Sequence, residues 1–147
     1  MRLSGVLLGA VLALGSLVMA QGAKMPNKPP QNPESMTAFW EKFSAAVIKG
    51  DKETVAALSR FPISMGYGMS SLKNKAQLMK YYRKIFFTET NAAKCFPKAK
   101  PLVEKQRPKE FTIGCSFVDG GEEEPFQYTF KLTRNGWRFT GFENINE

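Results

Sequence analysis

The chain contains no histidine. That removes the commonest general base and the usual imidazole metal ligand, and with them any serine–histidine–aspartate or cysteine–histidine relay. Two cysteines remain, Cys95 and Cys115, and two thiols without histidine make no zinc site by spacing. Gly66-Tyr67-Gly68 lacks the lysine and the spacing of a phosphate-binding loop and reads as a turn. The run Asp119-Gly120-Gly121-Glu122-Glu123-Glu124 has the charge to attract calcium. It lacks the alternating ligands of an EF-hand and reads instead as a solvated hairpin tip whose glycines permit positive φ. Asp51 stands where a helix needs a cap, so no aspartate is expected on an apolar face. These residue types call for no metal and no cofactor.

Charge is the other chemical resource. Residues 73–109 hold eleven Lys or Arg against Glu89 and Glu104, a net of +9, whereas residues 110–147 hold three basic against seven acidic residues, a net of −4. Lys80, Arg83 and Lys84 fall on one face of a helical pattern, and Lys94, Lys98 and Lys100 follow closely. Such a patch suits an anionic envelope polymer or a lipid headgroup, with a plain solvated face as the alternative. Nucleic-acid binding would want aromatic residues interleaved on the exposed side. Here the aromatics fall mainly on the opposite face, and no nucleic-acid partner is expected.

The elements that position these groups begin after an export signal. Arg2 precedes the apolar run Val6–Leu14, and Val18-Met19-Ala20 supplies a cleavage site after Ala20. The run is shorter than the ~20 residues a membrane-spanning helix needs. Residues 1–20 therefore read as a cleaved signal peptide, delivering a periplasmic or secreted protein. Because only Arg2 is lost, the net charge drops from +8 to +7. In an oxidising compartment a Cys95–Cys115 disulfide is expected, two separate buried thiols being the alternative. Residues 21–34, with Pro26, Pro29, Pro30 and Pro33, read as an extended tether, and residues 35–147 as one domain.

Within that domain Met36, Phe39, Trp40, Phe43 and Val47 make one helical stripe, capped by Ser35 and ended by Gly50. Asp51 caps a second short helix, and Phe61–Met65 reads as an edge strand because Pro62 has no N–H to donate. A third helix is expected from about Asn74 to Phe86, and a helical turn carrying Cys95 at Glu89–Phe96. Pro97–Pro108 reads as a loop with an edge pairing at Leu102–Val103. Three antiparallel strands close the chain at Phe111–Val118, Phe126–Thr133 and Trp137–Phe142, each alternating at period two, with Asn135-Gly136 as a hairpin turn. Phe142 is out of phase with Trp137 and Phe139, which a bulge at Gly141 would correct. The order is that of an α+β domain.

That order, with the Met36–Val47 helix, Lys49-Gly50-Asp51-Lys52, Phe61-Pro62-Ile63 and the closing Asn135-Gly136-Trp137-Arg138-Phe139, resembles the NTF2-like (SnoaL-like, cystatin-like α+β) superfamily over about residues 35–145. The resemblance implies a curved, mainly antiparallel sheet wrapped as a cone around N-terminal helices, often with an interior pocket, and homodimers through the open sheet face. Lys131 and Arg138 would stand on that face. It also implies pocket candidates: Tyr67, Tyr82 and Tyr128, with Trp137 and Phe139 beside them. Ketosteroid isomerases and dehydratases of this fold place Asp, His and Tyr inside the cone; only the tyrosines have counterparts here. The expectation is therefore a non-catalytic binding or accessory domain for a small apolar ligand or a protein partner. A small-molecule isomerase or lyase using a pocket tyrosine is the alternative.

Overall fold

The computed structural model describes residues 34–66, 71–117 and 125–145. The expected signal peptide and most of the tether, Tyr67, Val118 and the acidic hairpin tip lie outside the described residues.

The first helix, α1 (Met36–Lys49), starts where Ser35 Oγ accepts the Ala38 N–H at 3.1 Å. It ends at Gly50, whose φ of 71° lets its N–H turn back to the Ala46 and Val47 carbonyls. Asp51 then caps α2 (Lys52–Ala57) through both carboxylate oxygens, one on the Thr54 N–H at 3.0 Å and one on its hydroxyl at 2.7 Å. These hydrogen bonds hold the Asp51 carboxyl below its ordinary range. After β1 (Ser59–Met65) come α3 (Lys75–Arg83), a π-helical turn over Lys84–Thr88, and α4 (Ala92–Cys95). The meander β2 (Glu110–Cys115), β3 (Phe126–Thr133) and β4 (Gly136–Asn144) closes the domain.

The sheet runs in the order β1-β4-β3-β2. The meander is antiparallel, as its alternation implied, and β1 joins β4 in parallel as an edge strand. Pro62 is accommodated there because the β1–β4 register is irregular between Ser59 and Ser64. Gly136 takes the positive φ of 89° that the hairpin needs.

A bulge is present, one residue before the Gly141 at which the sequence reading put it. Thr129 pairs with Gly141 and Phe130 with Phe139, so Thr140 is the extra residue. Its insertion returns Phe142 to the buried side, shared with Trp137 and Phe139. Helices cover that side. Phe43 of α1 meets Phe130 at 5.0 Å and Phe139 at 5.4 Å between ring centroids, and Phe39 meets Phe130 at 5.9 Å. The architecture is therefore α+β, with helices on one face of a curved sheet, as the resemblance implied. Cys95 and Cys115 form a disulfide with their Cα atoms 5.9 Å apart, joining α4 to the end of β2.

Several boundaries differ from the sequence reading: β1 begins at Ser59 rather than Phe61, α3 gives way to the π turn after Arg83, and β4 runs from Gly136 to Asn144. The strand expected over Phe111–Val118 stops at Cys115. Its partner β3 begins at Phe126, directly opposite Cys115, so Ser116 and Phe117 have no ladder to join. Phe117 is accordingly 45% exposed rather than in the core, and its ring packs edge-on against Phe126 at 4.9 Å. The edge strand at Leu102–Val103 reduces to one bridge between Leu102 and Thr112.

Candidate functional site

At one end of the sheet the last residues of β1 and β4, the first of β3 and the π-helical turn surround a pocket of about 190 Å³. Its apolar wall is formed by Met65, Ile85, Phe117, Phe126 and Phe142. The Phe126 and Phe142 rings stack in parallel at 5.5 Å, and Phe117 stands edge-on to Phe126. Lys84 and Glu89 contribute the charge, with Nζ and Oε1 3.7 Å apart. Both are substantially solvated, and an ion pair at this distance in such a setting contributes little stability. A ligand can part them at small cost.

Backbone geometry shapes the rest. Gly66 donates its N–H to the Phe142 carbonyl at 2.9 Å. A Cβ at Gly66 would stand 2.8 Å from the Cβ and 3.0 Å from the Cα of Glu143, so only glycine lets β1 approach β4 this closely at the pocket wall. On the opposite side the Glu89 N–H reaches the Lys84 carbonyl at 3.1 Å, an i→i+5 bond. Such π turns interrupt the regular ladder. The Ile85 carbonyl within this one accepts a hydrogen bond from the Tyr128 hydroxyl at 2.7 Å.

Of the sequence-derived pocket candidates, Tyr82, Tyr128, Trp137 and Phe139 are described, and none of them lines this pocket. Tyr128 is fully buried; its hydroxyl donates to Ile85 and receives the Thr90 hydroxyl at 2.6 Å. Burial pushes its pKa far up, with the Glu89 charge acting the same way and the Thr90 bond opposing them. Tyr82 is buried too, donates to the Val47 carbonyl at 3.3 Å, and is pushed up to about 12 by burial and then by the charge of Asp51. Trp137 packs edge-on against Phe111 at 5.1 Å, and Phe139 lies among Phe43, Phe86 and Phe130. None of these four lines the pocket, because the aromatic rings of α1 and the π turn fill the space between helices and sheet. Tyr67 lies outside the described residues.

Lys80, Arg83, Lys84, Lys94, Lys98 and Lys100 are all exposed. Lys84 is the member that reaches the pocket, and Lys80 lies 5.3 Å over the Tyr81 ring. Among the described residues no group of three or more His, Cys, Asp or Glu side chains is placed to hold a metal ion.

On the other face of the sheet a more polar hollow of about 400 Å³ is lined by Arg60, Ser64, Thr129, Lys131 and Thr140, among others. Its charges are largely spent on one another. Glu110, only 12% exposed, takes Arg107 at 2.7 Å and Lys131 at 3.0 Å, and Arg107 also holds Glu104 at 2.7 Å.

No protein-family model matches the sequence, and no curated protein matches it. Several solved structures are similar. An NTF2-like protein with a cystatin-like fold from Novosphingobium aromaticivorans aligns at 18% identity over 72% of this chain and 75% of its own, with a TM-score of 0.40. A Delta 5-3-ketosteroid isomerase from Mycobacterium sp. aligns at 17% identity over 74% of this chain and 89% of its own, with a TM-score of 0.42. A domain of unknown function with a cystatin-like fold from Nostoc punctiforme aligns at 15% identity over 75% and 74%, with a TM-score of 0.42. The activity in the isomerase's name is that protein's own.

Proposed function

We propose that this chain is an exported, non-catalytic module that holds a small, mainly apolar molecule in the pocket between the π-helical turn and the ends of β1, β3 and β4. The observation that carries the reading is the stacked Phe126–Phe142 pair, which with the half-exposed Phe117 lines that pocket beside a loose Lys84–Glu89 pair. Apolar walls with one or two polar groups at the edge are the usual composition of a small-molecule site. The pocket volume, about 190 Å³, is close to the ~150 Å³ that accommodates a benzene-sized guest, so the ligand is of single-ring size. Binding is favoured over catalysis because the Tyr82 and Tyr128 hydroxyls are engaged by backbone carbonyls and their protons are held more tightly than those of a free tyrosine.

The test is a titration of single-ring compounds, neutral, anionic and cationic, followed by amide chemical shifts. Saturable shifts are expected at Gly66, Phe117, Phe126 and Phe142. Phe117→Ala removes a half-exposed ring with little risk to the core. Since an aromatic contact is worth ~0.5–1.5 kcal/mol, it should weaken binding roughly two- to tenfold. If no compound produces saturable shifts at these amides at millimolar concentration, the pocket is not a ligand site.

A further inference from the structure

The segment between α4 and β2 pairs two features that the pocket does not use. Leu102 and Val103 are 60% and 42% exposed, two of five large hydrophobic side chains so exposed among the described residues. Single exposed apolar residues are ordinary; an adjacent pair in a rigidly held loop is less so. The loop is held firmly. Leu102 and Thr112 exchange both backbone hydrogen bonds at 2.9 Å on the free edge of β2. Arg107 ties the far end through Glu104 and Glu110, and the Cys95–Cys115 disulfide fixes the near end. The two apolar side chains therefore face water in a loop with several anchors.

Lys98, Lys100, Lys105 and Lys109 belong to the same segment and Lys94 shortly precedes it, all exposed, none in an ion pair among the described residues. Glu104, the one acidic residue within the loop, is neutralised by Arg107. The hollow beside Leu102 amounts to about 10 Å³, too small to seat a side chain of a protein partner. A polyanionic polymer would engage the lysines and leave Leu102 and Val103 in water. A bilayer satisfies both features, because apolar side chains enter the acyl boundary while lysines extend to the phosphates.

We propose that the 98–109 loop seats the domain on an anionic phospholipid bilayer, with Leu102 and Val103 entering the interface and the flanking lysines held at the headgroups. The probe is co-sedimentation with vesicles of phosphatidylcholine alone or mixed with phosphatidylglycerol, between 25 and 500 mM salt. Binding to the mixed vesicles is expected at low salt and should fall steeply with ionic strength. Neutralising Lys98 and Lys100 with glutamine should weaken it about thirtyfold, since each lysine near such a surface contributes roughly fivefold. The double variant L102S/V103S should weaken it at least tenfold while leaving the salt dependence unchanged. The substituted positions are exposed, and circular dichroism checks that folding is intact. All variants share the wild-type N-terminus, so the differences report on the loop alone. Absence of binding to the mixed vesicles at 25 mM salt overturns the proposal. So does equal binding by L102S/V103S, which would mean adsorption by charge alone. Retention on a dextran sulfate column without vesicle binding would likewise overturn it, assigning the lysines to a polymer.

Discussion

Removing one oxygen atom tests the core and the pocket together. In Tyr128→Phe the ring stays among Phe86 at 5.6 Å, Phe96 at 5.1 Å and Phe142 at 4.9 Å, while the hydroxyl is lost. That hydroxyl makes two hydrogen bonds in a fully buried setting, to the Ile85 carbonyl at 2.7 Å and from Thr90 at 2.6 Å. Thr90 is itself completely buried, so water does not replace the missing partner. Leaving a buried polar group unsatisfied costs ~1–3 kcal/mol. With two such groups, partly offset by the hydroxyl no longer being buried, the expected loss is about 2–4 kcal/mol. That is a large part of the ~5–15 kcal/mol typical of a domain, and it should lower Tm by roughly 8–15 °C at this chain length. Urea unfolding followed by the fluorescence of buried Trp40 and Trp137 gives the free energy directly. The companion Thr90→Val removes the donor, and the double variant removes both partners. Their losses should be non-additive by about 1 kcal/mol, because the same bond is deleted twice. Ile85 is also a pocket wall, so ligand affinity should fall along with stability. A loss below about 0.5 kcal/mol for Tyr128→Phe, or additivity with Thr90→Val, would refute the reasoning, since buried unsatisfied groups cannot be that cheap.

Gly66→Ala forces a methyl against the Glu143 backbone and should cost about 1–3 kcal/mol by overpacking; wild-type stability in denaturant unfolding would remove the close β1–β4 approach from the account. Breaking the Cys95–Cys115 bridge, which spans 20 residues of sequence, should cost about 3 kcal/mol on the chain-entropy argument. The shift between reduced and oxidised unfolding curves measures it, and the double Cys→Ser variant should unfold with the reduced curve. At alkaline pH the folded chain keeps protons on Tyr82 and Tyr128 that an unfolded tyrosine, with its pKa near 10.0, releases. Stability is therefore fully present below pH 10 and declines as pH rises from 10 towards 12. Tyr82→Phe and Tyr128→Phe should each flatten that decline relative to wild type. Mass spectrometry of the exported chain should find an N-terminus at Gln21; an intact Met1 on that form would rule out cleavage.

The fold was legible wherever a local pattern had one physical solution. The α1 stripe from Met36 to Val47, the Ser35 and Asp51 caps, the left-handed Gly50 and the Asn135-Gly136 turn are each decided within a few residues. The phase slip at Phe142 called for a bulge and put it within one residue of Thr140, because a strand with one buried face cannot change phase without an extra residue. What failed was local alternation without a partner. Ser116 and Phe117 continue the period of β2, but whether they belong to it depends on where β3 begins, a non-local fact. The same limit hid the parallel seat of β1 beside β4, since an edge strand carries no mark of the neighbour it will choose.

The site was less legible for a related reason. Tyr82 and Tyr128 carry hydroxyls that could do chemistry, but the packing that buries them also takes them out of reach. Aromatic positions from α1, the π turn and three strands pack together around Tyr128 and Phe139, so a large ring facing inward there is filler and brace. The open volume lies where that convergence runs out, at the strand ends. It is bounded by features that alternation cannot show: a glycine held by β4 backbone, a π turn, and a phenylalanine just beyond its strand. One signal did point there. Lys84 continues the basic stripe of α3 into the π turn, yet it sits beside Ile85 and Phe86, where the helical apolar pattern becomes continuous. A cation that precedes three apolar residues turns away from the core they pack against, and here Lys84 lines the pocket with Glu89, five residues on, as its partner.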